Sequence, residues 1–166
     1  MPRLSRRSLL LASTALLAGC GFALRQAPQL DFDSIYLALP ESSALGLELR
    51  RQLSSLEGLR VISDPAHKEQ AQVLLESPGE QRQRLIVSTT AAGEVREVTL
   101  RLRFPFRVMD ANGRELLPLI ELERQIDQSW SETAALSKEQ ETAMLYTSMQ
   151  RDIVQQVLAR LASISL

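Results

Sequence analysis

Hydrophobic and polar residues alternate over one long stretch in the middle of the chain. Every second residue between 98 and 108 is apolar, namely Val98, Leu100, Leu102, Phe104, Phe106 and Val108. A period of two predicts an antiparallel strand that is buried on one face only. The turn residues Asp110 to Gly113 follow, so the sequence predicts a hairpin whose second strand runs from Glu115 to Gln128.

The polar face of this predicted hairpin carries charges of both signs. With a symmetric turn, Arg103 lies opposite Glu121 and Arg101 lies opposite Glu123, and such pairs contribute about 0.2–1 kcal/mol each. The arginines therefore have two interpretations: a solvated face neutralised by glutamates, or a cationic stripe for an anionic lipid. Arg107 has no glutamate opposite it in this register, so it stays a candidate for lipid binding.

Two further segments have the spacing of amphipathic helices, because apolar residues recur at intervals of three or four. In the first segment they are Leu45, Leu49, Leu53 and Leu56, and in the second Tyr146, Met149, Ile153, Val157, Leu161 and Ile164. Gly58 is expected to end the first helix. The S-x-x-Q motif from Ser137 to Gln140 predicts a capping box at the start of the second helix.

Shorter strands complete the pattern. The sequence predicts one strand from Ser34 to Leu39 and another from Val73 to Ser77, which Pro78-Gly79 interrupts and Leu85 to Thr89 continues. A Pro-Gly pair inside a strand indicates a bulge or an exposed edge. The expected fold is α+β: a two-layer sandwich in which a four-stranded, mainly antiparallel sheet is covered on one face by two helices.

The N-terminal residues have the layout of an export signal. Arg3, Arg6 and Arg7 precede an apolar stretch from Leu9 to Ala18, which is shorter than the ~20 residues that a membrane-spanning helix needs. The tetrapeptide Leu17-Ala18-Gly19-Cys20 resembles the lipobox of bacterial lipoproteins, in which the cysteine receives N-acyl and S-diacylglycerol groups. An ordinary signal peptide with a chance cysteine is the alternative, and both Sec and twin-arginine export remain open.

The lipobox sets the expected domain boundaries. Residues 1–19 are the expected signal peptide, residues 20–33 the lipidated N-terminus and tether, and residues 34–166 a single α+β domain. More than one acyl chain would hold the protein firmly on a membrane surface. Gly21, rather than an aspartate, follows the cysteine, and by the lipoprotein sorting rule this favours the periplasmic side of the outer membrane.

Charge and composition argue against several classes of function. Removing residues 1–19 takes away three of the 19 basic residues, so 16 remain against 20 acidic residues and the net charge is −4. This argues against a nucleic-acid partner. His67 is the single histidine and lies in a polar turn, cross-strand pairing explains Glu121 and Glu123, and the sequence contains no common catalytic or metal-site motif. We therefore expect neither an enzyme nor a cofactor.

Several short segments, in their order along the chain, resemble one protein family. They are Gly19-Cys20-Gly21-Phe22-Ala23-Leu24-Arg25, Ile35-Tyr36-Leu37, Phe104-Pro105-Phe106-Arg107-Val108, and Leu145-Tyr146 with Arg151-Asp152. The family is that of the lipopolysaccharide-assembly lipoprotein LptE, formerly called rare lipoprotein B. The resemblance covers nearly all of the expected mature chain.

This resemblance implies a partner and a ligand. Members of the family form a complex with the outer-membrane barrel LptD, plug its lumen, help it to assemble and bind lipopolysaccharide. Binding in the family involves a lysine near the start of the last helix, which Lys138 matches, and a basic residue in the loop between the second and third strands. The second position falls near the uncharged Ala91, and Arg84 and Arg96 are the candidates to replace it. A lipid-binding carrier at the periplasmic face of the outer membrane is the alternative function.

Overall fold

The computed structural model describes residues 29–166, so the expected signal peptide and Cys20 lie outside the described residues. This part of the chain contains six strands: β1 (Ser34–Ala38), β2 (Arg60–Ile62), β3 (Val73–Glu76), β4 (Gln81–Thr89), β5 (Val95–Asp110) and β6 (Glu115–Ser129). Its helices are α1 (Ala44–Ser54) and α2 (Ala135–Leu161), with short 3₁₀ segments at Pro65–Gln70 and Glu132–Ala134. A search of the same residues finds no helix that is long and apolar enough to cross a membrane.

All six strands belong to one sheet, in the order β2-β1-β3-β5, with β4 and β6 also paired with β5. The α+β class is therefore confirmed, whereas the expected number of four strands is wrong. Strand β2 was not predicted, because its three residues are too few to show a period. Both β2 and β3 run parallel to β1. This is possible because α1 connects β1 to β2 and the Pro65–Gln70 segment connects β2 to β3, and each connection returns the chain to the edge of the sheet where the strands begin.

Strand β5 joins the two halves of the sheet. Strand β6 pairs with one edge of β5, and β3 and β4 lie end to end along the other edge, with Leu75 opposite Val108 and Gln81 opposite Arg103. The prediction of a strand that is interrupted at Pro78-Gly79 is confirmed, because β3 ends before this pair, β4 begins after it, and both strands pair with the same edge of β5. Strands β4, β5 and β6 form an antiparallel meander, and β1, β2 and β3 form a parallel half.

Both helices cover the same face of the sheet. The apolar face of β5 is fully buried there, with Val98, Leu100, Leu102, Phe104, Phe106 and Val108 all at 0% exposure. These residues pack in one core with the predicted leucines of α1 and the predicted apolar stripe of α2. A small second cluster lies on the opposite face and consists of Tyr36, Ile62, Ala71 and Leu74.

The register of the β5–β6 hairpin differs from the prediction by two residues. Near the turn Met109 pairs with Glu115, as a symmetric turn requires, but Arg103 pairs with Glu123 rather than with Glu121. Two irregularities between residues 106 and 109 cause the shift, since each bulge places an extra residue on one strand. An even shift leaves the apolar and charged faces unchanged, because side chains alternate with a period of two.

The start of α2 also differs from the prediction. The helix begins at Ala135, directly after a 3₁₀ segment, so Ser137 lies inside the first turn. Its hydroxyl donates to a backbone carbonyl of that segment at 2.9 Å, and the capping box is therefore wrong. Instead, Gln128 Nε2 donates to the Lys138 carbonyl at 3.1 Å and the Thr142 hydroxyl donates to Gln128 Oε1 at 2.8 Å. These two bonds fix the start of the helix to β6.

Candidate functional site

Three of the candidate residues lie together at one end of the domain. Arg84 in β4 lies over the ring of Trp130, which follows β6. The backbone carbonyl of Arg96, near the start of β5, accepts the N–H of Trp130, and Lys138 in the first turn of α2 donates to Ser129, the residue before Trp130. We call Arg84, Arg96, Lys138 and Trp130 the basic cluster.

Arg84 pairs with the buried Leu100 of β5 and therefore lies on the helix side of the sheet. The β4–β5 pairing is irregular between Ser88 and Thr89, and Arg96 is the residue of β5 that has no pairing partner in β4 there.

Arg84 is held against the indole ring. Its guanidinium carbon lies 3.7 Å from the centroid of the Trp130 ring, and its Nη1 donates to Oε1 of Glu139 at 2.8 Å. Cation–π contacts contribute about 0.5–1 kcal/mol at exposed sites and more when they are desolvated. The two contacts fix the plane of the guanidinium, while a third of the side chain, 34%, stays exposed to solvent.

Lys138 folds back onto its own surroundings. Its Nζ donates to Oε2 of Glu141 at 2.9 Å and to the Ser129 hydroxyl at 3.1 Å. The hydrogen bond from Lys138 is the main cause that holds the pKa of Glu141 below its ordinary value. Because the helix dipole disfavours a cation in the first turn, these contacts compensate for the position of Lys138.

Arg96 is the exposed member of the basic cluster. Its backbone carbonyl accepts the N–H of Trp130 at 2.7 Å, which ties β5 to the segment before α2. Its side chain is exposed, and no ion pair with it is present among residues 29–166. The uncharged Ala91 is exposed in the nearby β4–β5 turn. Of the three cations, Arg96 is therefore the one whose charge is not already neutralised by a neighbouring carboxylate in the described chain.

Arg107 lies apart from the basic cluster, on the opposite face of the sheet. Its Nη2 and Nε donate to Oε2 of Glu76 at 2.7 and 3.0 Å. The prediction that Arg107 has no partner is therefore wrong, because it considered β6 alone, whereas Glu76 comes from β3 on the other edge of β5. Glu123 neutralises Arg103 at 2.7 Å and Arg101 at 3.6 Å. This face fits the interpretation of a solvated, neutralised surface.

His67 has a local structural contact. It lies in the exposed 3₁₀ segment, where its Nδ1 is 3.1 Å from Oδ2 of Asp64. The backbone N–H of Ala66 also donates to Asp64 and is the main cause that lowers the pKa of this carboxyl group. Within residues 29–166, no three His, Cys, Asp or Glu side chains are grouped in a way that could hold a metal ion. The contact of His67 with Asp64 is therefore a local one that stabilises the 3₁₀ segment.

Two residues of the site do not follow from the sequence pattern. Trp130 and Glu139 position Arg84, and neither belongs to a periodic stripe. Trp130 is the single tryptophan of the chain, and its place between a strand and a helix is the signal that could have drawn attention to a cation–π contact. The Glu139 contact joins residues 55 positions apart, and local spacing cannot reveal such a pair.

Comparison with protein families gives a match that spans every element from β1 to α2. The model described as "LptE: Lipopolysaccharide-assembly" matches residues 32–161. The chain belongs to the LptE family. The family resemblance of the short sequence segments is thereby confirmed.

Solved structures agree with membership of the LptE family. The solution NMR structure of an uncharacterized lipoprotein B from Nitrosomonas europaea is 32% identical, with coverage of 83% of this chain and 88% of that chain and a TM-score of 0.68. Rare lipoprotein B from Shewanella oneidensis shares the fold at 20% identity, with coverage of 78% and 94% and a TM-score of 0.64. A minor lipoprotein from Acinetobacter baumannii does so at 17% identity, with coverage of 81% and 94% and a TM-score of 0.63. No functionally curated protein matches the chain.

Proposed function

We propose that this LptE-family protein is a lipid-anchored, non-catalytic subunit of lipopolysaccharide export at the outer membrane. In this proposal it binds lipopolysaccharide through the basic cluster, plugs the LptD barrel and aids assembly of the barrel. The observation that carries the proposal is that Arg84, Arg96 and Lys138, which come from three separate elements, each contact Ser129 or Trp130. The lipopolysaccharide-assembly role of the family supports the choice of ligand.

The cations of the basic cluster suit the phosphate groups of lipopolysaccharide. Guanidinium and ammonium groups both bind phosphate oxygens through charge-assisted hydrogen bonds. Arg96 offers a cation that no carboxylate of the described residues occupies. Arg84 and Lys138 are held by the exposed carboxylates of Glu139 and Glu141, which a phosphate group can displace.

Exposed apolar side chains occur in the same elements as two of these cations and suit the acyl chains of the same ligand. Ile86 and Val87 in β4 are 64% and 57% exposed, and Leu136 in α2 is 78% exposed. Ile86 is two residues beyond Arg84 and therefore shares its face of the strand. Cations next to exposed apolar groups favour an amphipathic anion.

The other face of the sheet suits a different contact. It carries the neutralised pairs of Arg103 with Glu123 and Arg107 with Glu76. The lumen of an outer-membrane barrel is polar, so a paired polar face is compatible with a place inside the LptD barrel. Acylation of Cys20 would supply the anchor, and the first part of the expected tether, residues 20–33, would link it to the domain. The last part belongs to the domain instead, because Phe32 is buried in the main core.

The lipopolysaccharide site is tested by reversing the charge of one lysine. The chain has only two lysines, Lys138 and Lys68, so Lys68→Glu is a matched control for Lys138→Glu. We expect Lys138→Glu to weaken lipopolysaccharide binding about tenfold or more, since charge-assisted bonds are lost and repulsion is added. Binding of fluorescent lipopolysaccharide at low and moderate salt measures this effect. Equal affinity of both variants at both salt concentrations would exclude a role for Lys138.

The partner and the anchor need their own experiments. Purification through a C-terminal tag should recover a large outer-membrane barrel, and recovery of no barrel would contradict the LptD proposal. Cys20→Ala should move the protein from the membrane fraction to the soluble periplasm. Unchanged membrane fractionation of this variant would contradict lipidation at Cys20.

The alternative of a lipid carrier has less support. A carrier would hold an acyl chain between the helices and the sheet, where Leu102, Phe104 and Phe106 are already at 0% exposure. Side chains that fill this space leave little room for a lipid. Native mass spectrometry distinguishes the two functions, because a carrier would retain a bound lipid after removal from the membrane.

A further inference from the structure

The carboxyl ends of the three parallel strands open into one cavity. Its volume is about 660 Å³, which lies within the ~300–1,000 Å³ of small-molecule sites. Leu39 follows β1, Ser63 follows β2 and Ser77 follows β3, and all three residues line the cavity. In open parallel sheets, the crevice outside the carboxyl ends of the strands is the common place for a ligand.

The two connections of this parallel half lie on opposite faces of the sheet. Helix α1 packs on the main core, whereas the Pro65–Gln70 segment lies on the side of Tyr36 and Ile62. Arg50 of α1 and Pro65 of the 3₁₀ segment therefore line the cavity from both layers. This arrangement leaves a crevice between the layers, as at the switch point of a doubly wound sheet.

Arg50 gives the cavity its chemistry. Its Nε is buried and has no hydrogen-bond partner, and among residues 29–166 no carboxylate lies within ion-pair distance of its guanidinium. By contrast, the neighbouring Arg51 points to solvent and pairs with Glu48. A buried charged donor without a partner is unfavourable, so the Arg50 side chain favours an anion in the cavity, although the lining also includes one acidic residue, Glu41. Proline and leucine side chains supply an apolar wall.

We propose that this cavity binds a small organic anion whose phosphate or carboxylate group is held by Arg50. Guanidinium groups bind both kinds of oxyanion in the same planar manner, and the apolar wall contacts the rest of the molecule. This anion site shares no residue with the basic cluster and goes beyond the proposed function. It would remain valid if the protein did not bind lipopolysaccharide.

Nuclear magnetic resonance of the full chain in detergent micelles tests the proposal. The probes are glycerol 3-phosphate, propionate and, as an uncharged control, glycerol. We expect at least one anion to cause saturable shifts of the Arg50 Nε–Hε resonance and of the amides of Ser63 and Ser77, whereas glycerol causes none. The anion that binds more tightly identifies the phosphate or the carboxylate as the preferred group.

Variants with equal charge separate this site from general electrostatics. Arg50→Gln should weaken binding of the anion about tenfold or more, and Arg51→Gln on the same helix should leave it unchanged. The proposal is overturned if neither anion gives saturable shifts in the cavity, if glycerol gives the same shifts, or if both variants bind equally well. The titration of the unmodified chain decides the matter by itself if Arg50→Gln fails to fold.

Discussion

Helix α1 depends on a carboxylate from the link between β3 and β4. The Glu80 side chain is 8% exposed, and its Oε1 accepts hydrogen bonds from the backbone N–H groups of Ala44 at 3.0 Å and Leu45 at 3.4 Å. The hydroxyl of the N-cap residue Ser43 donates to the other carboxylate oxygen. An anion at this end also interacts favourably with the helix dipole. Glu80 thus joins the first turn of α1 to the sheet.

We predict that Glu80→Ala lowers the free energy of unfolding by about 2–4 kcal/mol. Hydrogen bonds to a charged group contribute about 1.5–3 kcal/mol, and a charge at a helix end adds about 0.3–1 kcal/mol. Glu80→Gln keeps the shape and one acceptor oxygen but loses the charge, so it should cost about 1–2 kcal/mol. The order of the two variants therefore separates the loss of charge from the loss of the whole side chain.

Urea unfolding of the protein in detergent measures these costs. Far-UV circular dichroism follows the helices, and the fluorescence of Trp130 follows the other end of the domain. Glu41→Ala removes an exposed carboxylate before the same helix and should change the free energy of unfolding by less than about 0.5 kcal/mol. The reasoning is refuted if Glu80→Ala and Glu41→Ala unfold at the same urea concentration.

Two further predictions concern the core and the response to acid. Phe106→Ala should lower the free energy of unfolding by about 3–5 kcal/mol, because the ring is fully buried; an unchanged urea midpoint would contradict this. The backbone N–H of Arg114 is the main cause that holds the pKa of Asp110 below its ordinary value of 3.8. The stabilisation that the ionised Asp110 carboxylate provides is fully present above pH 3.8, and it is lost as the pH falls through the lower pKa of the folded state. When the pH is lowered from above 3.8 to below it, the urea midpoint should therefore fall more for the wild type than for Asp110→Asn. An equal fall for the two proteins would argue against this contribution.

The elements that the sequence predicts correctly are those with strong and long periodicity. The alternation along β5 and the apolar stripe of α2 each have several repeats, and the structure buries the residues they indicate. Strand β2 has three residues and no such repeat. The parallel pairing of β1 with β2 and β3 could therefore not be predicted from the sequence, because it joins segments that are far apart in the chain.

The candidate site shows the same limit at the level of side chains. Parity along β4 places Arg84 on the helix side of the sheet, but its ion pair with Glu139 requires the position of α2 over the sheet. The ion pair of Arg107 with Glu76 was missed for a related reason, since it crosses an edge of β5 that the hairpin pattern does not describe. Local patterns give the face of a residue, and tertiary structure gives its partner.

The sharing of β5 between a meander and a parallel half has a consequence for the order of folding. The meander pairs strands that are neighbours in the chain, whereas β1 pairs with β2 and β3 across intervening segments. Contacts between near neighbours close with a smaller loss of chain entropy and form faster. We expect pulse-labelling hydrogen exchange to show protection of β4, β5 and β6 before β1. The strands that carry Arg84 and Arg96 would then form first, and the anion cavity at the ends of β1, β2 and β3 would close last.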